Sequence, residues 1–344
     1  MDFTGSLNIC ITKNRNITLT DHDDFNEAEL FSQEAISAPP PQRSMPMSQQ
    51  AANPFAPPSS HDVAGSANPL AGYFRMSGTA VTLPSGGRYY KNTEYFPTAT
   101  GEVSILPMRA ADEILLSSPD ALMNGQAVEG MLKSCVPAIT DPRNIVLPDL
   151  EVLLLSIRAA SYGDEMDVTL VCPECEAQME SVVSLAELLS TMVPMPDDTS
   201  VTLPSGLRVM VSPSKLSTTV AISRKVFEQT RLLQAAMESG DEEEGTRVRD
   251  LVHAEFTKLT TDSVIDCILS IVMPDGNEVT KKEHIREFLI NAAVNDTGPI
   301  NDAIEKCNTG YGINRSIPVQ CAACNHEWET EVELDPANFF ARRS

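Results

Sequence analysis

Two short cysteine pairs, Cys172-Pro-Glu-Cys175 and Cys321-Ala-Ala-Cys324, stand 145 residues apart and constrain this chain more than anything else in it. Each is set in sequence that makes a tight two-stranded ribbon. Thr169-Leu-Val leads into the first pair, and Gln178-Met-Glu-Ser-Val-Val-Ser184 alternates on the way out. Ile317-Pro-Val-Gln leads into the second, and Trp328-Glu-Thr-Glu-Val-Glu-Leu334 alternates after it. Two such knuckles facing each other put four thiolates in tetrahedral reach, the donor set of a structural zinc ion with every position filled by protein. Cys172, Cys175, Cys321 and Cys324 are therefore the expected ligands of a closed, non-catalytic Zn2+ site. Free or disulfide-linked thiols and a different metal are the other readings of the pattern. His326, two residues past Cys324, is a candidate substitute ligand, although four sulfurs already suffice and a histidine behind the ligands or facing solvent is the simpler reading. With a bound metal, everything between the pairs becomes an insertion with anchored ends.

The composition narrows the function. A chain of 344 residues with 42% hydrophobic residues is long enough for two or three domains with proper cores. Its formal charge of −23, from 48 acidic against 25 basic residues, opposes nucleic-acid binding, which needs basic patches to neutralise phosphate. The remaining cysteines, Cys10, Cys135, Cys267 and Cys307, are scattered singly and do not form the framework of a secreted disulfide-rich protein, so a reducing cytoplasm is the expected setting. No apolar run approaches the roughly 20 residues that span a bilayer, and the amino terminus lacks a basic region followed by an apolar core. Neither membrane insertion nor a signal peptide is expected.

Taken in order, residues 1–70 read as an extended or disordered arm, and the stretch from Asp21 to Pro69 holds eight of the 24 prolines. Residues 71–165 read as an N-terminal α/β part, 166–186 as the first half of the ribbon, 187–314 as a second hairpin followed by a helical insert, and 315–344 as the second half with a tail. Val-Thr-Leu-Pro-Ser-Gly-x-Arg occurs twice, at Val81–Arg88 and Val201–Arg208. Proline presets the first φ of a turn and glycine accepts a left-handed one, so each copy predicts a β-hairpin, and the pair suggests a duplicated unit. A strand is expected over 98–107 and helices over 112–116, 119–123, 126–135 and 148–161. In the insert, helices are expected over 217–237 and around 248–259. The apolar run Val264–Val272 is expected to continue that bundle, with an acidic loop between Glu238 and Gly245. Thr280-Lys-Lys-Glu283 has the spacing of a capping box, and a last helix is expected from about Pro299 to Cys307. The fold class is thus α+β: β-hairpin modules with helices, a split four-cysteine ribbon, an inserted helical bundle and an extended arm.

No catalytic constellation emerges. Five histidines occur, with no nucleophile elbow, His-Glu-x-x-His helix, dinucleotide fingerprint or Walker sequence. The Pro-Ser-Gly-Gly-Arg turn lacks the Lys-Ser/Thr and following helix of a phosphate loop. Zinc deaminases use a His-x-Glu followed by Pro-Cys-x-x-Cys, whereas here Cys172 follows Val171 rather than a proline, and His253-Ala-Glu255 comes after that knuckle. A non-enzyme is expected.

Several segments together carry a resemblance: Asn68-Pro-Leu, Leu83-Pro-Ser-Gly-Gly-Arg-Tyr-Tyr90, Ile105-Leu-Pro-Met-Arg-Ala-Ala-Asp-Glu113, Leu122-Met-Asn-Gly125, Ile157-Arg-Ala-Ala-Ser-Tyr-Gly163, the two knuckles and Leu334-Asp-Pro-Ala-Asn-Phe-Phe340. In this order the chain resembles the baseplate hub subunit family of T4-like contractile-tailed bacteriophages, from about Asn68 to Phe340. The resemblance implies a structural virion component of the tail baseplate. It would be assembled in the host cytoplasm against hub, wedge or tail-tube proteins, in several copies if the assembly is symmetric. A transient baseplate assembly chaperone is the alternative, and a zinc-ribbon adaptor of host transcription or replication is a third reading that the charge opposes.

Overall fold

The computed structural model describes residues 78–344 apart from 239–241, 333, 335–338 and 341–344. The expected arm, Asn68-Pro-Leu and part of the acidic loop lie outside the described residues. A short antiparallel pair opens the fold, β1 (Ala80–Thr82) with β2 (Glu102–Ser104). Three helices follow, α1 (Ala110–Leu116), α2 (Pro119–Met123) and α3 (Gln126–Cys135). Ser118 caps α2 by accepting the Ala121 N–H, and Gly125, at φ +76°, turns the chain between α2 and α3. Around them lies α4 (Leu147–Tyr162), which has Pro148 in its first turn and Gly163 at φ +97° just past its end. Leu153, Leu155 and Ile157 of α4 are fully buried with Val103, Ile105, Met131 and Leu132, and this cluster is the first core. A helix apolar on nearly all sides ends up in the middle of a protein core.

The two Pro-Ser-Gly copies fold differently. The second forms the expected hairpin: β5 (Ser200–Thr202) pairs with β6 (Arg208–Val211), and the Leu203 N–H closes on the Leu207 carbonyl at 2.8 Å. The first does not, which corrects the expectation of two hairpin modules. Gly86 and Gly87 both have positive φ, +61° and +80°, whereas the second copy has leucine at the position of Gly87. Two successive left-handed residues keep the chain turning through Tyr90, so β1 pairs with the more distant β2 instead. The copies share something else. The Ser85 N–H donates to Asp149 Oδ1 at 2.8 Å, and the Ser205 N–H donates to Asp296 Oδ1 at 3.1 Å. Asp149 is the third residue of α4, and Asp296 is the third residue of α9 (Val294–Thr309). Each turn is thus pinned to an acid in the first turn of a helix, where a carboxylate is also favoured by the helix dipole.

Between the cysteine pairs lies more than a helical bundle. The helices α6 (Leu216–Glu238) and α7 (Glu242–Cys267) form a long antiparallel hairpin. At Cys267 the chain leaves the helix for β7 (Ile268–Val272), which pairs with β6 and then with β8 (Glu278–Val279), giving the sheet order β5-β6-β7-β8. Helical spacing over Val264–Val272 was therefore misleading: Ile268, Ile271 and Val272 are β-branched, and the free edge of β6 decides their conformation. The Lys282 ammonium secures the joint by donating to the carbonyls of Ile265 and Ile268, both at 2.6 Å. It stands at the start of α8 (Lys282–Asn291), whose N-cap is Lys281 with no side-chain cap, so the Thr280–Glu283 box does not form. The last helix begins at Val294, with Pro299 inside it rather than at its start. A second core of Val209, Val211, Ile268, Ile285 and Ile300 joins the sheet to α8 and α9.

Asp149 is fully buried, and it accepts from the Ser85 hydroxyl and from Tyr90 Oη, the latter at 2.5 Å, as well as from the Ser85 N–H. Tyr90 Oη in turn accepts the Val146 N–H at 3.2 Å. Asp149→Ala strands these donors without water, and urea unfolding is expected to show a loss of about 2–4 kcal/mol. Asp296→Ala, with one such bond to lose, should cost about 1 kcal/mol; equal losses would mean that the hydrogen bonds around Asp149 are not what holds the turn.

Candidate metal centre

The first knuckle joins β3 (Glu165–Val171) to β4 (Gln178–Ser184), and the second joins β9 (Ser316–Gln320) to β10 (Glu327–Glu331). Both ribbons are antiparallel and in full register from end to end. Their inward residues are apolar: Met166, Val168 and Val183 of the first pack on the first core, as does Ile317 of the second. Alternation of buried and exposed positions fixes the register and points both cysteine tips the same way.

The two tips are built alike. The Cys172 N–H donates to the Ala177 carbonyl at 3.0 Å and the Glu176 N–H to the Cys172 carbonyl at 3.0 Å; the Cys321 N–H donates to His326 at 2.8 Å and the Asn325 N–H to Cys321 at 2.9 Å. Glu176 and Asn325 both have positive φ, +57° and +58°, the non-glycine residues of the described chain in that region. Such strain is kept where the surroundings impose it. It curls each tip so that both of its sulfurs face one point.

All four sulfurs lie within 4.8 Å of one another. The Cys172 and Cys324 sulfurs are 3.7 Å apart and the Cys175 and Cys321 sulfurs 3.6 Å. A tetrahedron with metal–sulfur bonds of about 2.3 Å has edges of about 3.8 Å, whereas a disulfide needs about 2.05 Å. Cys172, Cys175, Cys321 and Cys324 form no disulfide. The first cysteine of each knuckle is buried and the second exposed, so one side of the cluster is sealed by protein. Backbone N–H groups of Cys324 and Ala323 lower the Cys321 pKa to about 6. The His326 N–H acts to lower Cys324, but partial desolvation and the surrounding sulfurs push that thiol up to about 12. The Cys175 and Cys324 thiols thus resist ionisation by themselves, and a bound dication reverses that balance. The donor set, spacing and charge thus fit a tetrahedral thiolate-bound metal.

His326 is not among the converging donors. Its ring stacks on Trp328 with centroids 6.0 Å apart, and its backbone ties the knuckle. Cys135, Cys267 and Cys307 are buried elsewhere, and Cys10 lies outside the described residues. What the sequence did not signal is the fastening of the second ribbon to the first core. Arg315, just before β9, lies 3.6 Å from Glu151 of α4 and 3.7 Å from Glu331 of β10. The Phe339 and Phe340 side chains are also buried in the first core, and the Phe339 carbonyl accepts from the Arg158 guanidinium. No residue spacing marks contacts between positions this remote.

The family model described as T4 bacteriophage base plate protein matches residues 76–341, a span that includes all four cysteines. No curated protein and no solved structure matches the chain.

Burial pushes the Glu151 carboxyl up to about 7 from its ordinary 4.5, even though Arg315 pulls it down. The folded protein therefore holds a proton that the unfolded chain releases near pH 4.5. The stability this proton contributes is full below that pH and is lost as pH rises to about 7. Glu151→Gln keeps the neutral form throughout. Relative to the variant, the native chain should lose about 2–3 kcal/mol between pH 4.5 and 7 in denaturant unfolding, and parallel pH profiles for the two would refute the assignment.

Proposed function

This chain belongs to the T4 bacteriophage base plate protein family, and we propose that it serves as a structural subunit in the hub region of a contractile tail's baseplate. It would be assembled in the host cytoplasm and act through protein contacts without catalysis. The observation that carries this reading is the family match over the whole span from β1 through both cysteine knuckles. The local chemistry supports it. The Asp149 carboxyl and the Tyr90 phenol, both pushed up by burial, are enclosed in packing, as groups that hold a fold together are. Among the described residues no helix is long and apolar enough to cross a membrane.

Cys172, Cys175, Cys321 and Cys324 would hold Zn2+, and the ion would supply charge neutralisation and a crosslink. The chain's own residues do the rest: the left-handed Glu176 and Asn325 curl the tips, and Arg315 fastens the second ribbon to α4. Closing a loop of 145 residues without a crosslink costs about 4 kcal/mol, while structural zinc contributes on the order of 10 kcal/mol. A subunit that must transmit load through a particle gains from having its insert fastened at the root.

Two measurements test this. Elemental analysis should find one zinc per chain, and chelation or Cys321→Ser should lower the melting temperature by roughly 10 °C or more; an unchanged melting curve after stoichiometric metal removal ends the zinc reading. Mass spectrometry of purified phage particles should find the chain in tails at a fixed copy number. Presence in infected-cell lysate but absence from particles would overturn the subunit role in favour of the assembly chaperone.

A further inference from the structure

The α6–α7 hairpin leaves much of its length exposed. Two helices alone cannot bury an apolar seam, and a bundle needs a third or fourth. Here the seam stays open along one side. Lys225, Gln229 and Leu232 follow one another at i, i+4 and i+7 on α6, and Leu251, Glu255 and Lys258 do so on α7, so each set lies on one helix face. Between these faces is a cavity of about 170 Å³ floored by Gln229, Phe256 and Leu259 and edged by Lys225, Glu255, Lys258 and Asp262. Leu232 and Leu251 are each about half exposed, at 47% and 56%.

Gln229 is 7% exposed, yet its Oε1 receives no hydrogen bond from the described residues. A buried amide acceptor without a donor is costly, and in a bundle a single buried polar residue commonly sets the pairing of helices. An amide has both donor and acceptor, so it pairs with its own copy across a two-fold axis.

Charge points the same way. The chain carries −23, which keeps copies apart over most of its surface. Along the hairpin stem, residues 222–236 and 247–263, six basic residues meet four acidic ones. On the open face itself Lys225 and Lys258 stand among Glu255 and Asp262, a balanced pattern that can complement itself when rotated by two-fold symmetry. The stem is also long enough for a small interface: its two helices side by side present a face of about 500 Å², against the roughly 800 Å² per partner of a standard one.

We infer that the open face of α6 and α7 is where a second copy of this chain docks, closing an antiparallel four-helix bundle with the two Gln229 amides paired at its centre. This contact is independent of the baseplate role and of the metal. The test is light-scattering mass measurement on the full zinc-loaded chain at about 50 μM. The native protein should give twice 37.4 kDa, and Leu232→Glu with Leu251→Glu should give the monomer with unchanged helical circular dichroism. Phe227→Glu, two residues before Gln229 and so turned away from that face, should leave the dimer intact. Should the double variant lose helicity, Lys258→Glu, which sets like charge against Glu255 of the second copy, carries the test with an expected rise in the dissociation constant of about tenfold. A monomeric native chain overturns the inference, as does a dimer indifferent to Lys258→Glu or to the folded double variant. Binding of this face to a different baseplate protein alone overturns it as well.

Discussion

Four sulfur atoms converge on one point from two ribbons separated by 145 residues of chain, and most of the architecture follows from making that convergence possible. The ribbons must leave the first core side by side, so α4 passes beneath them and both send apolar residues into the core it centres. The chain must return after α9, so the insert has to fold back on itself. Its four-stranded sheet and second core do this, and α9 delivers the chain to Gly312, which exchanges backbone hydrogen bonds with Val193 at 2.8 and 2.9 Å. The insert is thus joined to the first part at its two ends near one place, ahead of the cysteines themselves.

A second constraint repeats inside the fold. Each Pro-Ser-Gly turn is anchored by its serine N–H to an aspartate in the third position of a helix. In the first part this aspartate is buried with a serine hydroxyl and a tyrosine; in the insert it makes the one bond to Ser205. The pairing of turn and helix start is common to both copies although only the second forms a hairpin, and it joins residues 64 and 91 apart in sequence.

How much of this was legible in the sequence depends on range. The knuckles, the boundaries of α2, α3, α4 and α6, and the Ser118 cap are set by residues within a turn or two, and all could be read directly. The family was legible too, because its signal is the order of many short segments rather than any one of them. The first hairpin was misread because Gly87 changes the backbone at a single position, and the consequence is a strand pairing some twenty residues away. β7 was misread because a run of isoleucine and valine fits helix and strand alike until a free sheet edge is present. Asp149, Arg315 and Glu151 carry no local pattern, since their roles exist only once remote segments touch.

Charge is distributed unevenly between the ribbons and the α6–α7 hairpin, which suits them to different contacts. From Asp164 to Ser184 and from Ser316 to Glu331 the ribbons carry nine carboxylates and no lysine or arginine, and all nine are exposed. Like charges at such density repel an identical surface by several kcal/mol at close approach, which disfavours ribbon-to-ribbon contact between copies. The hairpin stem, with its bases slightly in excess, lacks that barrier. Self-association through α6 and α7 would meet no such repulsion, while the cysteine-bearing ribbons suit surfaces of opposite charge. In a particle built from many proteins, such a division would fix which contacts are made between copies and which are made with other components.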